Sequence, residues 1–306
     1  MERHNEISKL VHYTSFQTLN SMLSNEELWF SSADTMNDFA EVRHGKALIR
    51  DYVTQDGSTL NHLFKSLLTD HGDLMKEVDS VFLRQLQLDP YDTFISCWSN
   101  CDIDSRQHDN LAMWRGYAAD GNGVAVVVDP TSIGLGGLTY SEILFWPVFY
   151  ETDIELIERS ERALATFKAV LEEFERTTID LNPSIVAEAF NEIIYFLAVT
   201  HKHKGFIVEK EWRFIWRKGR SSTKFLQYLK PQLIRNALYE YLCLPLKDDP
   251  ELAAGTLDVR KIISEIMIGP CEDVPHKFNA IHNFLRRKSF PEKFKVTVSD
   301  IPYRSR

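Results

Sequence analysis

Glu209-Lys210-Glu211-Trp212-Arg213-Phe214-Ile215-Trp216 is the stretch on which the reading of this chain turns. A strand directs successive side chains to opposite faces, so Glu211, Arg213 and Ile215 share one side and Trp212, Phe214 and Trp216 the other. The aromatic side reads as core. The charged side needs a reason, because strand interiors disfavour glutamate and a half-buried carboxylate requires a partner or a task. Arg213 supplies a partner as a same-face ion pair, and a functional cleft would supply a task.

The flanking sequence sets this strand in a mixed fold. Leu10-Val11-His12-Tyr13 is a short apolar run, followed by Thr14-Ser15 and by Phe16, Leu19, Met22 and Leu23 at helical spacing. That pattern predicts a strand, a capped helix, and a second strand at Leu28 to Ser31. Ser32 to Asp38 is rich in turn-forming residues, and Asn37, Asp38 and Glu41 have the pattern of a helix cap with a first-turn acid. Helical patterns continue to about Leu88, with amphipathic stretches at Leu60 to Leu68 and Leu74 to Leu86. A further strand is expected at Thr93 to Trp98, then a helix carrying Leu111, Met113, Trp114 and Tyr117. The turn Asp120-Gly121-Asn122-Gly123 feeds Val124 to Asp129, an apolar strand expected to be buried on both faces. Ile143 to Tyr150 reads as a strand broken by Pro147. Two long helical patterns, split at Asn182-Pro183, fill Glu151 to Lys204. Strands at Ala237 to Leu244, Ile262 to Ile268 and Phe294 to Val298, with a helix over Val274 to Arg287, complete an α+β fold with helical insertions at about 51–90 and 151–204, expected to form one domain over 1–306.

Composition narrows the function classes. The chain has 306 residues, 44% of them hydrophobic, enough for a substantial core. A formal charge of -9 argues against a surface built throughout to hold nucleic acid or an anionic membrane. Cys97, Cys101, Cys243 and Cys271 are scattered without a repeated CxxC, so no disulfide framework or structural zinc site is expected, and a reducing compartment is the simpler reading. The polar start Met1 to Glu6 has no apolar signal core, and no stretch approaches the roughly 20 apolar residues of a membrane span. The expectation is a soluble cytoplasmic protein without membrane contact.

Several local signals have ordinary explanations. His201-Lys202-His203 lies in a helical pattern and reads as a solvated helix end rather than a metal site. Gly121-Asn122-Gly123 leads into a strand and is a turn, not a dinucleotide loop. Cys97 and Cys101 have no nucleophile arrangement around them. Arg217-Lys218-Gly219-Arg220 and Arg286-Arg287-Lys288 are surface charge by default, although the first follows the Glu211 strand and could guide a phosphate backbone.

Seven segments in one order carry a resemblance: His12-Tyr13-Thr14-Ser15, Leu28 to Ser32, Asn37-Asp38-Phe39-Ala40-Glu41, Ser96 to Ser99, Met113-Trp114-Arg115-Gly116-Tyr117-Ala118, Glu209 to Arg213 and Ile266 to Pro270. Over roughly Leu10 to Pro270 the chain resembles a bacterial family known as domain of unknown function 2971. The strand bearing His-x-Thr, its short helix and a later glutamate strand are also similar to ADP-ribosyltransferase folds that act on nucleic acid. That second resemblance implies an ADP-ribosyltransferase-like split mixed sheet and NAD as cofactor. It implies Glu211 as the catalytic carboxylate, stabilising oxocarbenium character at the ribose, and His12 as catalytic and cofactor anchor. Tyr13 and Thr14 would shape the cofactor pocket, Trp29 or an aromatic of the Trp114 to Tyr117 helix, such as Tyr117, would stack on nicotinamide, and Arg115 or Arg213 would neutralise a cofactor phosphate. It further implies an RNA or DNA acceptor, a toxin or anti-phage role, and an antitoxin partner. His12 and Glu211 are then expected to converge on one cleft. The alternatives are an NAD glycohydrolase and a non-catalytic binding or regulatory domain in which His12, Glu211 and Arg213 form a buried polar network.

Overall fold

The structure, a computed structural model, describes residues 9–36, 39–69, 92–101, 109–129, 142–176, 182–220, 223–234, 237–247, 258–292 and 294–303. In chain order the elements are β1 (Lys9–Thr14), α1 (Phe16–Asn25), β2 (Glu27–Ser32), α2 (Phe39–Thr54), α3 (Thr59–Thr69), β3 (Thr93–Cys101), α4 (Leu111–Tyr117), β4 (Val124–Val128), β5 (Leu144–Pro147), β6 (Phe149–Glu151), α5 (Asp153–Arg176), α6 (Pro183–Val199), β7 (His201–His203), β8 (Glu211–Arg217), β9 (Leu229–Ile234), β10 (Ala237–Pro245), α7 (Val259–Ile262), β11 (Ile263–Ile268), α8 (Val274–Arg287) and β12 (Lys295–Val298). They group into two compact units. The expected cap at Asn37-Asp38 and the expected amphipathic stretch Leu74 to Leu86 lie outside the described residues.

The first unit, Met1–Ser32, Thr93–Pro147 and Val208–Arg306, is built on a mixed open sheet. Among the described residues ten strands join it, in the order β12-β11-β4-β1-β3-β2-β10-β9, with β8 and β5 branching from β3. β11 and β12 run parallel and the other pairs antiparallel. β3 is the junction. One of its edges carries β8 along its length, from Thr93↔Arg217 to Ser99↔Glu211. The other edge is divided: β1 takes the end containing Ser99 and Cys101, and β2 takes Ile95 and Phe94. The sheet therefore splits at Ser96 to Trp98.

The two faces have separate cores. Leu10, Phe30, Phe94, Trp98, Val124, Val126, Trp212, Phe214, Trp216 and Ile266 form one. Val11, Tyr13, Met113, Trp114, Ala125, Val127 and Met267 form the other, under α4. Burying each such side chain contributes about 1.5–3 kcal/mol, which makes the aromatic side of β8, with Phe145 stacked on Trp212 and Phe214, the anchor of the first core. β4 is buried at every position, as its unbroken Val/Ala run requires.

The second unit, Ala33–Asp92 and Val148–Ile207, packs α2, α3, α5 and α6 around Ile49, Leu60, Leu156, Leu164, Phe190 and Ile194. Asn182 caps α6 by accepting from the Ser184 N–H at 2.9 Å, and Pro183 occupies the first turn, where its missing N–H costs nothing. His201-Lys202-His203, expected as a solvated helix end, is instead strand β7, parallel to β6, with His201 and Lys202 buried. Its helical reading failed because α6 ends at Val199, where the Thr200 hydroxyl turns back to the Phe196 carbonyl at 2.7 Å. β6 in turn separates from β5 at Val148, just after the break expected at Pro147.

Candidate functional site

Every candidate residue taken from the sequence lies in the first unit. β8 is entered through Lys210, whose φ of 44° is left-handed and costs a non-glycine residue about 1 kcal/mol or more. The Lys210 carbonyl accepts from the Asn100 N–H at 2.8 Å, extending the β3–β8 ladder beyond Glu211. One residue later, Arg213 grips Glu211 in two-pronged fashion, Nε to Oε1 at 2.7 Å and a terminal nitrogen to Oε2 at 3.2 Å. Glu211 is 5% and Arg213 1% exposed, so the pair is secluded from water on both sides. The planar guanidinium fork matches the carboxylate, and in this low-dielectric setting the match offsets much of the desolvation cost of each charge. A guanidinium held there does not present itself to a phosphate in solution.

His12 stands at the split in the sheet. Its Nδ1 lies 3.0 Å from the Cys97 carbonyl, so Nδ1 carries the proton and Nε2 is left as an acceptor in the neutral ring. Cys97 sits between the last β1 pair, Val11↔Ser99, and the first β2 pair, Ser31↔Ile95, and the imidazole takes the place of the missing neighbour strand there. Burial holds the His12 pKa below its ordinary value, with the Cys97 hydrogen bond opposing. Its ring packs 5.1 Å from Trp98.

The registers place His12 and Glu211 on opposite faces of the sheet. Val11 pairs with Ser99 and Ser99 with Glu211, so those three share the face of Tyr13 and α4. His12 alternates to the face of Leu10 and Trp98. The expected convergence of the two residues in one cleft is thus not what the sheet provides. Parity within each strand was readable, but the register linking β1 to β8 through β3 was not.

The remaining candidates divide in the same way. Thr14 shares the His12 face, and its carbonyl abuts Gly123 so closely that an added Cβ would lie 2.2 Å from it. Tyr13 faces Trp114 edge-on at 5.1 Å, and burial raises its pKa, as do Cys101 and Asp109 nearby. Trp29 lies on β2, its indole donating to Glu27 at 3.2 Å and its ring 5.9 Å from Tyr241. Trp114, a candidate stacking platform, is fully buried and donates to Asp109 at 2.7 Å; it is core. Asp109 also accepts from Ser299 Oγ and the Asp300 N–H, which straps residues 299 and 300 across the start of α4. Arg115 is largely exposed, 3.9 Å from Asp120 and above the Tyr303 ring.

Tyr117 reveals a residue that the sequence reading passed over. Its hydroxyl donates to Glu209 at 2.8 Å, and Glu209 is buried. At the other end of α4, Asn110 accepts from the Ala112 N–H at 2.9 Å and donates to the Val208 carbonyl at 3.3 Å. Both ends of the helix therefore grip the segment that enters β8. Only the charge of Glu209 within an apolar run pointed to it; its partner is 92 residues away.

Among the described residues, one groove on this unit is lined by Phe16, Leu19, His276, Lys277, Ile281 and Phe284, and another runs along the opposite flank of α8. None of the candidate residues lines either. Among the described residues no group of His, Cys, Asp and Glu is arranged to hold a metal ion, and no helix is long and apolar enough to cross a membrane. No curated protein and no solved structure matches the chain. Residues 113–214, about a third of the chain, running from α4 into β8 and including Glu209, Glu211 and Arg213, match the model of a family described as Protein of unknown function (DUF2971).

Proposed function

We propose that this chain is a non-catalytic binding domain in which His12, Glu211, Arg213, Glu209 and Tyr117 hold the sheet and α4 in one geometry. The observation that supports this is the buried, doubly hydrogen-bonded Glu211–Arg213 pair on the face opposite His12. Transfer from NAD asks for a carboxylate beside the ribose and an anchor in the same pocket. Here the carboxylate is committed to a neighbouring arginine and the anchor candidate to a backbone carbonyl. A network satisfied in this way rigidifies a sheet without turnover.

An ADP-ribosyltransferase-like reading, with NAD as cofactor and RNA or DNA as acceptor in a toxin or defence setting, draws on two observations: the split sheet at β3 and the strained Lys210 immediately before Glu211. Backbone strain of that kind concentrates at functional sites. Incubating the purified chain with NAD labelled on the adenosine moiety and with RNA, DNA or lysate separates the readings. The binding-domain reading expects neither label transfer nor nicotinamide release. Label transfer abolished by Glu211→Gln would replace it with the transferase, and nicotinamide release without an acceptor with an NAD glycohydrolase.

A further inference from the structure

We propose that the groove between α1 and α8 binds a small aromatic monocarboxylate, one ring joined to its carboxylate by a short chain. The groove encloses about 200 Å³, and its apolar floor is formed by Phe16, Leu19, Ile281 and Phe284. An apolar cavity of about 150 Å³ takes one benzene ring, so this volume holds a ring and little more. Leu19 and Ile281 are buried, whereas Phe16 and Phe284 are only half-buried, which leaves ring surface for the offset or edge-on contacts of an aromatic ligand.

The sign of the charge around this floor selects the ligand. The polar lining is Asn20, His276 and Lys277, with no acidic residue. Neither α1 nor α8 contains an Asp or Glu, in a chain that has 44 of them. Glu272 and Asp273 precede α8 but do not line the groove.

Lys277 is half-buried, and its ammonium lies 5.7 Å from the centre of the Phe16 ring. It donates to the Asn122 side-chain carbonyl at 3.2 Å, a neutral acceptor, and makes no ion pair among the described residues. An ammonium has three donors, so two remain for a ligand carboxylate. Near the start of α8 this cation also opposes the helix dipole, a cost that an anion at the mouth of the groove would offset. With the ligand ring on the floor, a short chain brings its carboxylate to Lys277.

This inference does not rest on His12, Glu211 or Arg213, none of which lines the groove, and it holds whether or not the chain acts on NAD. It is tested by NMR titration of the intact, methyl-labelled chain with 3-phenylpropanoate. The Leu19, Ala280 and Ile281 methyl signals should shift saturably, with a dissociation constant of about 1 mM or tighter. 3-Phenylpropanamide, similar in size and neutral, should bind about tenfold more weakly, and added salt should narrow that gap. Lys277→Met should weaken the carboxylate by about tenfold and leave the amide nearly unchanged, which separates loss of charge from loss of shape. Ala280→Trp, at an exposed lining position, should abolish binding of both. Thermal melts matching wild type establish that the variants are folded, and the comparison of acid with amide on wild type stands without them. No saturable shift, shifts confined to other methyls, or equal affinity for acid and amide would overturn the proposal, as would a folded Lys277→Met chain that keeps the wild-type preference for the carboxylate.

Discussion

Truncating Glu211 would leave the Arg213 charge buried in the middle of a sheet without its carboxylate. Breaking a buried pair from one side costs about 3–5 kcal/mol, so Glu211→Ala should lower unfolding free energy by that amount in urea titrations. Replacing both charges with apolar residues of similar volume should recover much of the loss, which a purely catalytic glutamate would not require. His12 gives a pH signature. Its folded pKa lies below the ordinary value near 6.5, so the native state binds fewer protons than the unfolded chain as pH falls. Stability is fully present above about 6.5 and declines on acidification below it. His12→Asn keeps a donor for the Cys97 carbonyl and should flatten that decline, as thermal melts across roughly pH 7.5 to 5 would reveal. The sequence announced Glu211 and Arg213 because charge on an aromatic strand is conspicuous. It was silent on which face of the sheet each residue would share with others, because that depends on two registers set by β3, and it gave little sign of Glu209, whose partner comes from another element.

At the level of elements, the most exacting packing is where the end of β1, the end of α4 and the start of β4 meet. A Cβ on Gly123 would lie 2.2 Å from the Thr14 carbonyl oxygen and 2.8 Å from that of Ala118; one on Gly269 would lie 2.3 Å from the Gly121 carbonyl oxygen. All three are backbone atoms that cannot swing aside. Gly123→Ala and Gly269→Ala should each destabilise by about 3 kcal/mol or leave the chain insoluble. Gly116→Ala meets nothing within 4 Å and lies in α4, so it should stabilise by about 0.5–1 kcal/mol. Thermal melts of the three variants test the contrast. Most elements were readable from period and punctuation: α1 from Ser15 and its apolar spacing, α6 from Asn182-Pro183, and β4 from Gly123 and its valines. β9 escaped notice because Pro231 sits within it, and it is an edge strand that tolerates the loss of one donor. β7 was hidden by the helical pattern leading into it.

For the molecule as a whole, composition and patterning predict the mixed α/β class and most strands of the sheet, but not the branching at β3, which depends on which distant segments pair. None of Cys97, Cys101, Cys243 and Cys271 is joined in a disulfide among the described residues. Burial raises the Cys243 thiol to about 11, with Glu27 adding to the shift, so little thiolate forms near neutrality. Alkylation at pH 8 should therefore leave Cys243 unmodified in the folded chain and label it on denaturation, a contrast readable by mass spectrometry. The seam at β3 also bears on how the sheet comes into being. Its longest ladder joins Thr93–Ser99 to Glu211–Arg217, partners separated by roughly a hundred positions or more, and its other edge recruits β1 and β2 from the start of the chain. Adjacent-strand hairpins are scarce here, the β9–β10 pair being a local one. Closing such loops comes before the contacts that reward it, and chains dominated by distant pairings fold in milliseconds to seconds or slower. During synthesis β3 emerges long before β8, so for that interval the backbone edge that β8 will occupy is open to pairing with other chains.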